Sequence, residues 1–246
     1  MIRDLIYDGT FEGLLTAIFY AYPLKDEVSI SKEGCYTPTL ISSPEHITTE
    51  EDKFNRVYKS IKNKLSYDTL SNVYLLFLSE VPEVENLILK YLKLCFKFGD
   101  NINLAKNNDI IILTDKYVRR VTYEAHRFTG FVRFREVAPM IFYSVIEPDH
   151  NILTLLSSHF RNRFSDQYFI IHDQKRNLAL IYNKSEIWIR DFTEEDLNFN
   201  GSVAKNDEFE SLWKTFFNST NIKERKNSRL QKRNVPIRYW NNMLES

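Results

Sequence analysis

Residues 131–146 read Phe-Val-Arg-Phe-Arg-Glu-Val-Ala-Pro-Met-Ile-Phe-Tyr-Ser-Val-Ile. β-Branched and aromatic side chains dominate this stretch, and Ala138-Pro139 breaks it once. The pattern predicts two strands, 131–137 and 140–146, paired across that dipeptide. Working outward toward the C-terminus, 168–172 and 178–182 form a predicted hairpin over Asp173–Asn177, and 186–192 a further strand. One helical stretch, 151–164, lies between these strands, and an amphipathic helix is expected at 206–218.

Toward the N-terminus the apolar period changes from about 2 to about 3.6 residues. Helices are predicted over 48–64, 67–79, 83–98 and 115–128. Thr48 and Thr49, followed by Glu51 and Asp52, give the first of these a capping signal. Gly99 is a natural stop for the third. At the very start, 3–8 reads as a short strand turning at Asp8-Gly9. Thr10 then caps a helix whose apolar positions Phe11, Leu14, Leu15, Ile18 and Phe19 follow i, i+3, i+4, i+7, i+8. Residues 25–47, with Gly34, Pro38 and Pro44, read as irregular apart from a short strand at 39–41. A helix-rich first half packed on a mainly antiparallel sheet in the second half is an α+β fold. No repeat or linker marks a boundary, so 1–246 is expected to be a single domain with a basic C-terminal arm at about 222–246.

Composition bounds the chemistry. The chain has 246 residues, 43% of them apolar, which is enough to enclose a core. No stretch approaches the roughly 20 apolar residues of a membrane span, and no signal-peptide pattern is visible, so a soluble cytoplasmic protein is expected. Two cysteines, Cys35 and Cys95, cannot supply a four-cysteine zinc site or an iron–sulfur cluster. Cys95 reads as a small buried hydrophobe. No phosphate-cradling glycine loop, nucleophile elbow or zinc-protease motif occurs. No cofactor and no metal are expected. The formal net charge of zero argues against a simple DNA-coating protein. Local clustering of charge is therefore the informative feature.

Three segments concentrate Arg and aromatic residues. On a wheel of about 100° per residue, Tyr117, Val121, Ala125 and Phe128 fall on one side of helix 115–128. Lys116, Arg120, Tyr123 and Arg127 fall on the other. In strand 131–137, Arg133 and Arg135 point to one face and Val132 and Phe134 to the opposite one. Two adjacent arginines call for an anion, either phosphate or a neighbouring carboxylate such as Glu136, Glu124 or Asp173. Ser158–Phe164 repeats the mixture with Arg161 and Arg163, and Arg176 follows in a turn. The arm carries Lys223, Arg225, Lys226, Arg229, Lys232, Arg233 and Arg238 against one acid, Glu224, and ends on Tyr239 and Trp240. It reads either as a phosphate-binding tail with stacking rings or as a strap anchored by Tyr239 and Trp240. The residues offered for nucleic-acid contact are Lys116, Arg120, Tyr123, Arg127, Arg133, Arg135, Arg161, Arg163, Arg176, Arg225, Lys226, Arg233, Arg238 and Trp240. The acid–base residues that an enzyme acting on DNA or nucleotides would use are His126, His159, Asp173 and Glu12.

Taken in order, Tyr7–Ala17 (Y-D-G-T-F-E-G-L-L-T-A), His126–Glu136 (H-R-F-T-G-F-V-R-F-R-E), His159–Phe164, Arg225-Lys226-Asn227 and Pro236–Trp240 resemble a bacterial family labelled "probable DNA metabolism protein". The resemblance implies a DNA repair or modification setting, with DNA and a radical-SAM DNA modification or repair protein as partners. Some members of that family are fused to a uracil-DNA-glycosylase-like domain. It implies no catalytic residue. An adaptor that contacts protein alone is the competing expectation, marked by an exposed apolar patch, for which the 67–98 helices are the place to look.

Overall fold

The computed structural model describes residues 2–24, 28–38, 42–192 and 235–242. Its contacts divide the chain into two compact units, Met1–Thr122 and Tyr123–Ser246. The division falls inside a helix, where composition does not change, and this is why no linker is visible in the sequence. Helices concentrate in the first half and a mostly antiparallel five-stranded sheet in the second, so the fold is α+β.

The first unit is built on a three-stranded parallel sheet in the order β2-β1-β3: β1 is Ile2–Tyr7, β2 Val28–Lys32 and β3 Ser42–Ile47. The expectation that 25–47 is irregular is therefore wrong. Pro44 reads as a breaker, but β3 lies at the sheet edge, where a missing N–H costs no ladder bond. The expected strand at 39–41 lies outside the described residues. Helix α1, Phe11–Ala21, follows β1 through Asp8-Gly9-Thr10. Gly9 sits at φ +84°, a left-handed conformation that favours glycine. Thr10 is extended, and its hydroxyl accepts from the Gly13 N–H at 2.9 Å. Gly13 is required by close approach, because a Cβ there would lie 2.1 Å from the Asp8 carboxylate.

Helices α2 (Glu51–Lys64), α3 (Tyr67–Ser79) and α4 (Val84–Phe98) follow. Thr48 and Thr49 do not cap α2. The position before its first turn is Glu50, which makes no side-chain cap bond, and the Thr49 hydroxyl donates instead to Asp8 at 2.6 Å. A bond to the β1–α1 turn wins over the local one. The apolar faces of α1 to α4 close over the sheet as a core of mainly aliphatic residues, among them Leu5, Leu14, Leu15, Ile18, Ile61, Leu76 and Leu92. Burying each such side chain contributes about 1.5–3 kcal/mol. Cys95 belongs to this core, and burial pushes its thiol up to about 11.

Helix α5 runs from Asp109 to Phe131, longer at both ends than the predicted 115–128. Asn108 starts it, its side chain accepting from the Ile110 and Ile111 N–H groups. Gly130 lies within it rather than ending it. In the second unit β4 (Arg135–Ala138), β5 (Ile141–Ile146), β6 (Tyr168–Asp173), β7 (Leu178–Tyr182) and β8 (Ile187–Asp191) form one sheet in sequence order. The β5–β6 pair is parallel, with α6 (Leu153–Arg163) making the crossover, and the other pairs are antiparallel. This unit's core is rich in rings. Phe134 meets Phe160, Phe164 and Phe169 at centroid distances of 5.5, 4.7 and 5.9 Å. Among the described residues no helix is long and apolar enough to cross a membrane.

Candidate nucleic-acid interface

The burial of α5 follows its wheel. Val121, Ala125 and Phe128 are buried, and Lys116, Arg120 and Tyr123 are exposed. Arg119 and His126, on the flank of the stripe, are exposed as well. In the part of α5 that belongs to the first unit, Lys116, Arg119 and Arg120 form no ion pair among the described residues. Asp115, the nearest acid in sequence, is taken by Lys106. Lys116 and Arg120 instead lie 5.7 and 5.8 Å from the Tyr117 ring centroid. In the part that belongs to the second unit, Tyr123 is 64% exposed, and the Arg127 guanidinium lies 5.0 Å from its ring centroid. This is an exposed ring with a cation over one face.

The arginines that follow α5 are placed differently from expectation. Because the helix continues through Phe131 and β4 begins only at Arg135, Arg133 is not in the strand, and it does not share a strand face with Arg135. The Arg133 guanidinium donates to the Gly130 carbonyl at 2.6 Å, at the helix C-terminus, where unpaired carbonyls and the helix dipole favour a cation. Arg135 is exposed and forms no ion pair among the described residues. The three carboxylates proposed as internal partners serve elsewhere. Glu136 accepts from the Met140 N–H across the β4–β5 turn, Glu124 accepts from the backbone of 149 and 150, and Asp173 pairs with Arg176.

On α6, Arg161 and Arg163 are exposed in the last turn. Arg161 reaches the Ser185 carbonyl at 3.5 Å, and Arg163 lies 5.7 Å from the Phe164 ring centroid. Arg176 turns inward. Its guanidinium holds Asp173 at 2.8 Å and the carbonyls of Pro148 and Asp149 at 3.2 and 2.8 Å. It is therefore a structural cation and not part of an open surface.

A family profile described as a domain of unknown function, DUF4130, matches residues 82–245. The chain belongs to this family. No curated protein and no solved structure matches the chain. The DUF4130 match takes in α4, α5 and all of the described second unit, and leaves β1, α1 and the Asp8-Gly9-Thr10 turn outside it.

Within the matched region the structure reveals a polar cluster that sequence reasoning missed. Glu124 is only 7% exposed. It accepts from the Asp149 and His150 N–H groups, each at 2.8 Å, and from the Tyr239 hydroxyl. Arg238 pairs with Asp149 and donates to the Tyr239 hydroxyl at 3.0 Å. Tyr239 is buried and meets Phe128 edge-on at 5.0 Å. Burial, and then the hydrogen bond to Glu124, push the Tyr239 phenol well above its ordinary range. Burial alone would lower Arg238, but Tyr239 and the nearby carboxylates outweigh it and raise it. Tyr239 is thus the buried anchor of the described segment 235–242. The Trp240 ring N–H donates to the Val235 carbonyl at 3.0 Å, closing its own turn. Arg225, Lys226 and Arg233, together with the expected helix at 206–218, lie outside the described residues. One sequence signal pointed to the cluster: Glu124 stands between Val121 and Phe128 on the apolar side of α5, where a carboxylate requires buried partners.

The acid–base residues are dispersed. Glu12 is exposed in the first turn of α1, in the first unit. His126 and His159 are exposed on α5 and α6, His159 with its ring edge-on to Phe160 at 4.9 Å. Asp173 is fully buried and ion-paired. Beside it, His172 is buried too, its Nδ1 2.7 Å from the Tyr143 hydroxyl. Among the described residues no three His, Cys, Asp or Glu side chains converge as metal ligands would.

Proposed function

We propose that this chain is an accessory protein of DNA metabolism that holds nucleic acid along the exposed side of the part of α5 that belongs to the first unit, residues 109–122. The observation that carries the reading is the run of Lys116, Arg119 and Arg120, exposed and without a carboxylate partner among the described residues. The run places three cations within five residues, and a phosphate backbone would supply anions for them. The second unit offers features of its own that suit nucleic acid: Tyr123, with Arg127 over one face, is a ring on which a base can stack, and Arg135, Arg161 and Arg163 are exposed cations. The resemblance to the DNA-metabolism family gives this binding its setting, beside a radical-SAM modification or repair partner.

The test is fluorescence anisotropy with a labelled oligonucleotide across a salt series. Lys116→Glu/Arg120→Glu is expected to weaken binding and to lower the slope of log affinity against log salt by about 2, roughly one for each phosphate that is no longer neutralised. Unchanged affinity and slope in this variant would remove the reading.

A second reading rests on a separate observation. Leu104, Ile112 and Leu113 are 77, 45 and 37% exposed, and Ile112 lies one turn before Lys116 on α5. Exposed aliphatic side chains at the start of that helix suit contact with a protein partner. Co-purification that survives nuclease treatment and disappears in Ile112→Asp/Leu113→Asp would favour the adaptor over the DNA-binding role.

A further inference from the structure

Helices α1, α2 and α4 of the first unit enclose an open groove of about 470 Å³. Ile18 and Val57 form its buried floor, and Phe19, Tyr22 and Phe96 its walls. Tyr22 is 41% exposed, with its ring edge-on to Phe96 at 5.7 Å. The volume is within the range of small-molecule sites, and so is the character of the lining, apolar with few polar groups.

Those few polar groups are ordered. Arg56, Ser60 and Lys64 follow one another at i, i+4 and i+8 on α2, so they run along one edge of the groove over about 12 Å. The Arg56 guanidinium is held 5.0 Å from the Phe19 ring centroid. Among the described residues no Asp or Glu lines the groove. At the start of α2, Glu50 accepts from the hydroxyl of Tyr20, itself a lining residue, at 2.5 Å, and Asp52 pairs with Lys53 at 2.8 Å. Arg56 and Lys64 form no ion pair among the described residues. The result is an apolar trough with a positive edge.

We propose that this groove binds a small amphiphilic carboxylate, a medium-chain fatty acid or an aromatic acid of similar size. The apolar body lies against Val57, Phe19 and Phe96, and the head group is held by Arg56 and Lys64 with Ser60 between them. Charge complementarity selects the anion, since guanidinium and ammonium groups donate charge-assisted hydrogen bonds to carboxylate. The apolar lining selects against fully hydrated anions such as phosphate or acetate. This site is independent of the α5 reading, because none of its residues is on α5.

The test is isothermal titration of the full chain with decanoate, with decyltrimethylammonium of equal chain length as the control for charge. One-to-one binding of decanoate is expected, with the cation at least about tenfold weaker, the difference that one charge-assisted hydrogen bond makes. Arg56→Glu/Lys64→Glu exchanges exposed side chains, is expected to fold as the parent does, and should lose decanoate. Ser60→Trp should fill the trough and block binding with an unchanged circular dichroism spectrum. Equal affinity for the cation, undiminished decanoate binding in the charge-reversed variant, or no saturable binding would each overturn the proposal. So would a dimer in sedimentation that Ser60→Trp disperses, which would make the groove an interface between two copies of the chain.

Discussion

The two units bury polar groups of different kinds. Among the described residues of the first, apart from Asp4, the enclosed polar side chains are the hydroxyls of Thr16, Thr69, Ser79 and Thr114. Thr16 and Ser79 bond to carbonyls close by in the chain, Glu12 and Leu76, while Thr16 also meets the Glu50 backbone and Thr69 donates to Asp100 at 2.6 Å. In the second unit the enclosed groups include Glu124, His172 and Asp173, and Glu124 takes partners 25, 26 and 115 residues away. A hydroxyl can be satisfied within its own helix turn, whereas a carboxylate needs several donors, which only a folded tertiary structure brings together. The first unit's buried hydroxyls therefore combine local and long-range bonds between neutral groups and one carboxylate, whereas the second unit encloses ionisable groups, Glu124 held by distant segments and Asp173 by Arg176 three residues on.

The largest expected effect tests that contrast directly. Arg176→Ala leaves the fully buried Asp173 carboxylate without its ion-pair partner and should cost about 3–5 kcal/mol in denaturant unfolding. A cost of under about 1 kcal/mol would mean that the pair is not a determinant of the second unit. Next comes Glu124→Gln, which keeps the shape but weakens three hydrogen bonds to a charged acceptor, at a cost of about 1.5–3 kcal/mol. Its counterpart in the first unit, Thr16→Val, removes the bond to Glu12 and longer contacts with the Glu50 backbone, all to neutral groups, and should cost about 1 kcal/mol. If Thr16→Val proves the more damaging of these two, the contrast between the units fails.

The smallest effect concerns pH. Burial pulls the Asp8 carboxyl upward, but donors from Thr10 and Thr49 outweigh this and hold it below its ordinary 3.8. A depressed carboxyl stabilises the fold fully above its unfolded value. That contribution disappears as the pH falls through the lower, folded value. Asp8 is exposed, so solvent screening keeps the effect to well under about 1 kcal/mol. Asp8→Asn should accordingly narrow the difference in melting temperature between neutral and acid solution. A wider difference would reverse the sign assigned here.

What was legible in the sequence divides between local and distant signals. The Thr10 cap, the α1 periodicity, the β6–β7 hairpin and the buried side of α5 are all written within a few residues, and the structure contains each of them. The parallel sheet of the first unit was not legible, because Val28–Lys32 is short and its pairing partner β1 lies more than twenty positions earlier. The helix expected to end at 128 continues through Phe131, and that extra turn was enough to remove Arg133 from the strand. The Arg/aromatic mixture gave the clearest functional signal, yet its two halves separate in space. Phe128, Phe134 and Phe160 belong to ring clusters, while Arg135, Arg161 and Arg163 stay outside. Aromatic residues carry no sequence mark that tells a stacking platform from a core, and of the rings in this mixture Tyr123 alone has the exposure that stacking needs.

The Glu124 carboxylate ties together two events that are usually observed separately. The same group receives the Asp149 and His150 N–H groups and the Tyr239 hydroxyl. When Tyr239 leaves, the carboxylate gains solvent and its grip on those two amides loosens. Their hydrogen-exchange rates therefore form a clock for release of the chain end, readable without any label on the tail. A ligand that draws the tail away would speed that clock, and one that clamps it down would slow it.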